Sequence, residues 1–427
     1  MSSLARIATG LPFSPFYFPP MKFFIPLTLL NLCLLACLGP EKKPHASLTE
    51  VDLEKWQVEG RWTPERINQW YDSLPWLVGC NYYPATAINQ IDMWQASTWD
   101  PETIDRELGW AEDIGMNTLR VYLHDVVWAA DEAGLYQRMD QFLNICLSHG
   151  IRPWFVFFDD CHYPEPKLGE QPRPVPRIHN SGWVNSPARE LAARYAEGKA
   201  TQAEKDHLKG YVQHIMEHFK QDSRILMWEL YNEPGRGNTS NAQPSPYKSM
   251  GDRSSQLVYD SWLWAREINP SQPITSTTAG AMGKQNILIN RVNSDLHSIH
   301  SYKGPRDMFE RIQEYKKDGR PVVMSEWLAR TAGSTVESCL PMMKALNVGA
   351  VNWGFVSGES GTIWPWRSRR DSSGSPINLD AERAKGNLVP EGGPYPEPEL
   401  WFHDLFRTDG TPFDSLEIAV FKALTQE

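Results

Sequence analysis

Eight short strand-like segments, most of them rich in apolar residues and each separated from the next by enough chain for a helix, constrain this sequence more than any other feature. They fall at 76–84, 117–124, 151–158, 225–231, 273–278, 295–302, 321–327 and 349–355. Apolar runs of this length suit strands buried on both faces, as in a parallel sheet wrapped by helices. The segments between them carry helix signals. Asp100-Pro101 offers a capping side chain and a proline for the first turn, and the helix it opens ends near Gly115. Within 201–220, Leu208, Tyr211, Val212, Ile215, Met216 and Phe219 form one apolar face at helical spacing. Further helices are predicted at 135–147, 251–268, 305–317, 335–346 and 415–424, with the faintest pattern between the fifth and sixth strands. This alternation predicts an α/β fold, a (β/α)8 TIM barrel forming a single catalytic domain with long rim loops over 75–427. Residues 37–74 are read as a linker followed by an extension packed across the bottom of the barrel.

The fourth run ends Trp-Glu-Leu-Tyr-Asn-Glu-Pro (228–234), and the seventh reads Pro-Val-Val-Met-Ser-Glu-Trp (321–327). Pro234 and Gly235 stop the first of these strands, so Asn232 and Glu233 stand where a strand runs out. In a parallel barrel that edge is where chemistry is placed. Two carboxylates on one rim are what glycosidic hydrolysis needs: one protonated to serve the leaving oxygen, one ionised to attack the sugar carbon or activate water. A lone Asn-Glu-Pro could equally be a turn carrying a solvated glutamate; the second glutamate at a strand end is what changes the reading.

These motifs resemble those of the retaining glycoside hydrolases of the large (β/α)8 clan that holds the family 5 cellulases and mannanases, over about 76–355. Gly-Cys-Asn-Tyr-Tyr-Pro (79–84) is similar to the first strand of several clan members, exo-acting β-galactosidases among them. The resemblance implies Glu233 as acid/base and Glu326 as nucleophile. It implies Arg120 as the arginine beside the nucleophile, the alternative being a structural ion pair with Glu229. It gives Asn232 to the sugar 2-hydroxyl, His300 and Tyr302 to the end of the sixth strand, and Trp353 to a sugar-stacking platform, the alternative being an indole in the core. A clan histidine expected at the end of the third strand is displaced here, where the chain reads Phe-Asp-Asp-Cys-His (158–162); His162, Asp159 and Asp160 are the candidates for its place. His124 and Trp128 are candidate rim residues after the second strand. The long loop 159–187 would overhang the rim, since loops of that length in compact domains are usually functional.

Other chemistries find little support. His-Ile-Met-Glu-His (214–218) matches a metalloprotease pattern, but its three polar residues lie outside the apolar helix face, toward solvent. No metal site and no cofactor is expected. A net charge of −10 without a long basic block argues against nucleic acid as a partner. The 18 tryptophans suit both core packing and the apolar faces of pyranose rings, so carbohydrate is the expected partner.

The N-terminal stretch reads as an address. Lys22 precedes an apolar run over 23–35, closed by Leu-Leu-Ala-Cys (34–37). That is a secretory signal spanning 1–36, with Met21 a candidate start. Its end resembles a bacterial lipobox, which implies lipidation of Cys37, contact with a membrane through that anchor alone, and an exported, periplasmic or surface location. The alternative is an ordinary cleaved signal. Cys80, Cys146, Cys161 and Cys339 show no Cys-x-x-Cys spacing, and their pairing cannot be read from the sequence. For the whole protein the expected function is hydrolysis of a β-linked glycan such as mannan or glucan. The alternatives are a β-galactosidase-like exo-enzyme and a non-catalytic glycan-binding barrel.

Overall fold

All eight predicted strand segments form parallel strands. The computed structural model describes residues 54–161, 165–236 and 250–426. The chain divides into two compact units, Met1–Thr49 and Glu50–Glu427, and every described residue belongs to the second. The signal and Cys37 lie outside the described residues.

The strands are β1 (Val78–Asn81), β2 (Thr118–Tyr122), β3 (Arg152–Asp159), β4 (Trp228–Asn232), β5 (Ile274–Thr275), β6 (Thr277–Ala279), β7 (His297–His300), β8 (Val322–Glu326) and β9 (Gly349–Trp353). They pair in the order β5-β4-β3-β2-β1-β9-β8-β7-β6. β5 and β6 are two pieces of one barrel position, interrupted at Ser276. The first piece pairs with β4 and the second with β7, which closes the circle. The fold is a (β/α)8 barrel with its fifth strand broken. At the break the Ser276 hydroxyl donates to the Tyr231 carbonyl (3.1 Å), so a side chain replaces a lost ladder bond.

The helices follow the predicted signals. Asp100 caps Pro101–Asp113 by accepting from the Thr103 N–H (3.0 Å). Thr201 and Glu204 form a reciprocal capping box at the start of Gln202–Phe219, whose six apolar face residues are all buried. The faint segment between the fifth and sixth barrel positions is a helix, Lys284–Asn293. Short helices at Gln90–Trp94, Asp125–Ala130 and Arg189–Ala196 lie in stretches read as loop or left unassigned, because one or two turns show no periodic apolar face. Ahead of β1, the Val58 N–H donates to Asn293 (2.7 Å), the Trp62 N–H to Asp295 (2.8 Å), and the Trp76 indole to the Val348 carbonyl (2.8 Å). These acceptors precede β7 and β9, so the extension covers the N-terminal end of the barrel and leaves the opposite end free. Among the described residues no helix is long and apolar enough to cross a membrane, and Cys80, Cys146, Cys161 and Cys339 are free thiols.

One buried acid makes the fold pH-sensitive. Glu107 accepts from the Tyr82 hydroxyl (3.0 Å) and the Ala85 N–H (3.1 Å), pinning the loop after β1. Burial outweighs those bonds and pushes its pKa up from 4.5 to about 8. Asp404 is likewise raised by burial, to about 7. An acid that holds its proton more tightly when folded contributes most below its unfolded pKa, and loses that contribution as pH rises through the folded value. The unfolding free energy from urea titration is therefore expected to fall from about pH 5 to about pH 8. Glu107→Gln should flatten that slope; an unchanged slope would place the effect elsewhere.

Candidate active site

Glu233 and Glu326 meet across the mouth of the barrel. Glu326 is the last residue of β8, and Glu233 follows the last residue of β4. Glu233 turns out of the strand with φ of 43°, a left-handed conformation that a glutamate adopts at a cost on the order of 1 kcal/mol. One carboxylate oxygen from each, together with His300 Nδ1, lie within 4.8 Å of one another. His300 Nδ1 stands 3.0 Å from Glu233 Oε1 and 3.3 Å from Glu326 Oε2, a bridge between the acids. The approach is close enough that residue 280 must be glycine: a Cβ there would sit 2.9 Å from both Glu233 Oε1 and His300 Nδ1.

Every neighbour of Glu326 on this face offers it a proton to share. Arg120 Nη1 donates to Oε1 (2.8 Å), the Tyr122 hydroxyl to the same oxygen (3.1 Å), and the Tyr302 hydroxyl to Oε2 (2.6 Å). Arg120 and Tyr122 reach the same carboxylate because residues two apart on a strand share a face. Arg120 also makes two 2.8 Å bonds to Glu229 and donates to Asn81 and Asn232, each at 2.8 Å. The two readings of Arg120 are thus both present in one side chain. Asn232 in turn donates to Asp159 (3.1 Å), so the asparagine is held from both sides.

Glu233 is held differently. Burial on its own would push its carboxyl up, but Arg236, three residues on, lies 2.7 Å from Oε2, and His300 and the Cys161 thiol add to the pull. Together they hold Glu233 well below the usual carboxylate range. A neighbouring carboxylate such as Glu326 would by itself raise the value; the guanidinium of Arg236 reverses the sign. Arg236 is anchored by its own bonds to the Gly280 carbonyl (3.2 and 3.0 Å), yet its side chain stays 44% exposed.

A family model described as Cellulase (glycosyl hydrolase family 5) matches residues 86–358. The chain belongs to glycosyl hydrolase family 5. It is a glycoside hydrolase. Among solved structures, the endo-β-1,4-mannanase of Thermotoga petrophila is 13% identical, with 83% of this chain and 77% of that one covered at a TM-score of 0.50. The exo-β-1,4-mannosidase Op5Man5 of an Opitutaceae bacterium is 16% identical, with 82% and 60% covered at 0.50. A GH5_18 protein of Streptomyces cattleya solved with GlcNAc is 12% identical, with 82% and 79% covered at 0.52. At these identities the likeness is one of fold. No curated protein matches the sequence.

The other residues singled out in this family 5 sequence divide by position. Trp353, at the end of β9, is buried beside the acids, its ring centroid 6.0 Å from that of Tyr122 and 6.0 Å from that of Trp183. His124 stands just past the end of β2, under the loop that follows β3. It is fully buried, caps Asp125–Ala130 by accepting from the Val126 N–H (3.3 Å), and holds the Asn185 carbonyl through Nε2 (2.9 Å). Asp160 is also reassigned. Its carboxylate accepts from Tyr231 (2.9 Å), the Gly235 N–H (2.7 Å) and the Ser254 hydroxyl, away from the pair, where it braces the loop carrying Glu233. Asp159, one residue earlier and on the opposite face, is the one that meets Asn232. His162 lies outside the described residues. Trp128 packs over His207 and Tyr211 on the outer helices.

The His-x-x-Glu-His pattern is a surface feature: His214 is 59% exposed and pairs with Glu132, Glu217 pairs with Lys220, and His218 stacks on Tyr136. Among the described residues, the Glu233, His300 and Glu326 atoms are the group of potential metal ligands that converges; all three are already engaged with one another or with donors. Tyr122, Asn81 and Arg236 are site residues that sequence reasoning passed over, whereas Asp159 was one of its candidates. Tyr122 could have been found from its spacing to Arg120. Arg236 sits on a loop, where nothing periodic marks it.

Proposed function

We propose that the protein is a retaining β-glycoside hydrolase acting on a β-linked glycan such as mannan or glucan. The observation that carries the reading is the approach of two carboxylates within 4.8 Å at the ends of β4 and β8, because retaining enzymes need carboxyls only about 5–5.5 Å apart and inverting ones leave room for water. In the first step a Glu326 oxygen forms a bond to the anomeric carbon. The bond from that carbon to the glycosidic oxygen breaks, and Glu233 delivers its proton to the departing oxygen. In the second, water attacks the same carbon, Glu233 takes its proton back, and Glu326 leaves. Asn232, oriented by Arg120 and Asp159, is placed to hydrogen-bond the sugar 2-hydroxyl, and Trp353 offers its ring to the sugar face. The mannan-active enzymes among the structural neighbours favour mannan as the first substrate to try. The test is hydrolysis of aryl β-mannosides and β-glucosides and of the corresponding oligosaccharides, followed by proton NMR. Release of the β-anomer first supports the reading; release of the α-anomer first, or no hydrolysis of any of them, overturns it.

Arg236 has a role in this scheme. Glu233 must carry a proton for the first step, while Arg236 favours its ionised form. Substrate entering beside Glu233 would displace the half-exposed guanidinium and release the carboxyl to take its proton. The sign is fixed: kcat/KM falls as pH rises through the Glu233 pKa, and removing the cation raises that pKa. Arg236→Met is expected to move the alkaline limb upward by about 1–3 pH units; a limb that stays put would mean that Arg236 does not set it.

We further propose export and anchoring through Cys37, on the strength of the leader alone. Cys37→Ser should shift the protein from the membrane fraction to the soluble one, and an unchanged distribution would favour the ordinary cleaved signal.

A further inference from the structure

The relatives include an enzyme named endo-acting and another named exo-acting, so the barrel does not decide where on a chain the enzyme cuts. The rim loops do. The loop after β3 and the long segment after β9 are joined into one body. Arg173 pairs with Glu359 (2.7 Å), and the Val389 N–H donates to the Pro174 carbonyl (2.9 Å). Arg383 donates to the carbonyls of Arg173 (3.1 Å) and Ser181 (2.9 Å), and the Arg369 guanidinium to that of His179 (3.1 Å). Val175, Ile178 and Leu379 form a small apolar core between the two, separate from the barrel core. The loop after β1 is tied in as well: the Gln90 amide donates to the Val184 carbonyl (2.6 Å), and the Glu359 N–H to that of Ala85 (2.9 Å). Loops fixed by this many charged and backbone bonds, with their own core, do not swing as separate flaps.

At its root the Cys161 thiol touches Glu233; beyond that, the described part of this body meets the tyrosines that hold Glu326. From the β3 loop, Trp183 is buried with its ring 5.4 Å from Tyr122, the hydroxyl of which donates to Glu326. From the β9 segment, Trp366 is 43% exposed and meets Tyr302 edge-on at 5.0 Å; the Tyr302 hydroxyl holds the other Glu326 oxygen. Both loops thus come within one side chain of Glu326. Glu233 is flanked by the half-exposed Arg236, by Gly280 and His300, and by Cys161 at the root of the β3 loop. In double displacement the nucleophile lies under the sugar that is kept, and the acid stands at the oxygen leading to the leaving group. We infer that the fused loops block the cleft beyond the kept sugar, so that the enzyme cuts from the non-reducing end and releases one short product of fixed length. Trp366 then forms the exposed aromatic edge of that closed end.

This inference rests on the roles proposed for Glu233 and Glu326, and the experiment separates the two. The whole protein is given β-1,4-manno- and gluco-oligosaccharides carrying a fluorescent label at the reducing end, and matching nitrophenyl oligosaccharides whose non-reducing end is capped with a 4,6-O-benzylidene group. Expected is a labelled ladder that shortens by one constant step from the first time points, with the capped substrates resistant by at least 100-fold relative to uncapped ones. Hydrolysis of capped and uncapped substrates at similar rates, or mid-chain products at the outset, overturns the inference and leaves the catalytic assignment standing. Inactivity on uncapped oligosaccharides and simple aryl glycosides alike overturns the assignment, and the inference with it.

Discussion

Glu326→Gln is expected to lower kcat on an aryl β-glycoside by at least about four orders of magnitude, because in the mechanism proposed above an amide oxygen cannot form the covalent intermediate. The fold should survive. Arg120 keeps both of its bonds to Glu229, and the Tyr302 hydroxyl can accept from the new amide as readily as it donated to the carboxylate. Glu233→Gln is expected to behave differently. Loss of general acid catalysis costs about 10²–10⁴-fold on a substrate with a poor leaving group, and much less on one that needs no proton to depart. Steady-state rates on two leaving groups, each variant checked by thermal melting, decide the matter. A Glu326 variant that turns over near normally, or a Glu233 variant equally slow on both substrates, would remove the roles given to them.

The largest effect on stability is expected at Arg120. It is fully buried, and its partners Glu229 and Glu326 are almost fully so, with N–O distances of 2.8 Å to each. Arg120→Met removes the one guanidinium serving both and leaves two buried carboxylates without the cation they share. Breaking a buried pair by deleting one partner costs about 3–5 kcal/mol, so the variant should unfold at much lower urea or not accumulate. Arg120→Lys is not a mild alternative: an ammonium cannot span Glu229, Asn81, Asn232 and Glu326 as the planar fork does. If the variant falls too far to assay, Glu229→Gln gives the same answer more gently, since it leaves Arg120 paired with Glu326. A loss under about 1 kcal/mol for Arg120→Met would mean that water relieves the buried acids.

The barrel was legible because short, mostly apolar strand segments alternate along the chain with helix signals, the pattern of a parallel sheet wrapped by helices. The sequence also marked the two acids, since Pro234 ends one strand just past Glu233 and Trp327 follows Glu326 at the end of another. What it could not supply was facing. Asp159 and Asp160 are adjacent and chemically alike, and only the register of β3 against β4 shows that Asp159 meets Asn232. The ring of His124 was ambiguous for the same reason; the turn into Asp125–Ala130 spends it on a cap. Nor could the sequence give the sign of the field at Glu233, because Arg236 lies in a loop with no period to place it. The break at Ser276 is equally silent: 273–278 reads as one strand, and its division follows from having to pair with β4 on one side and β7 on the other.

The claim on which the rest depends is a covalent bond between sugar and Glu326. It can be observed directly by incubating the protein with an activated 2-deoxy-2-fluoro-β-glycoside, digesting it, and mapping the labelled peptide by mass spectrometry. The account predicts a single fluoroglycosyl adduct on Glu326 that is absent from Glu326→Gln. An adduct on Glu233 or any other residue, or full turnover of substrate with inversion and no adduct at all, would contradict it.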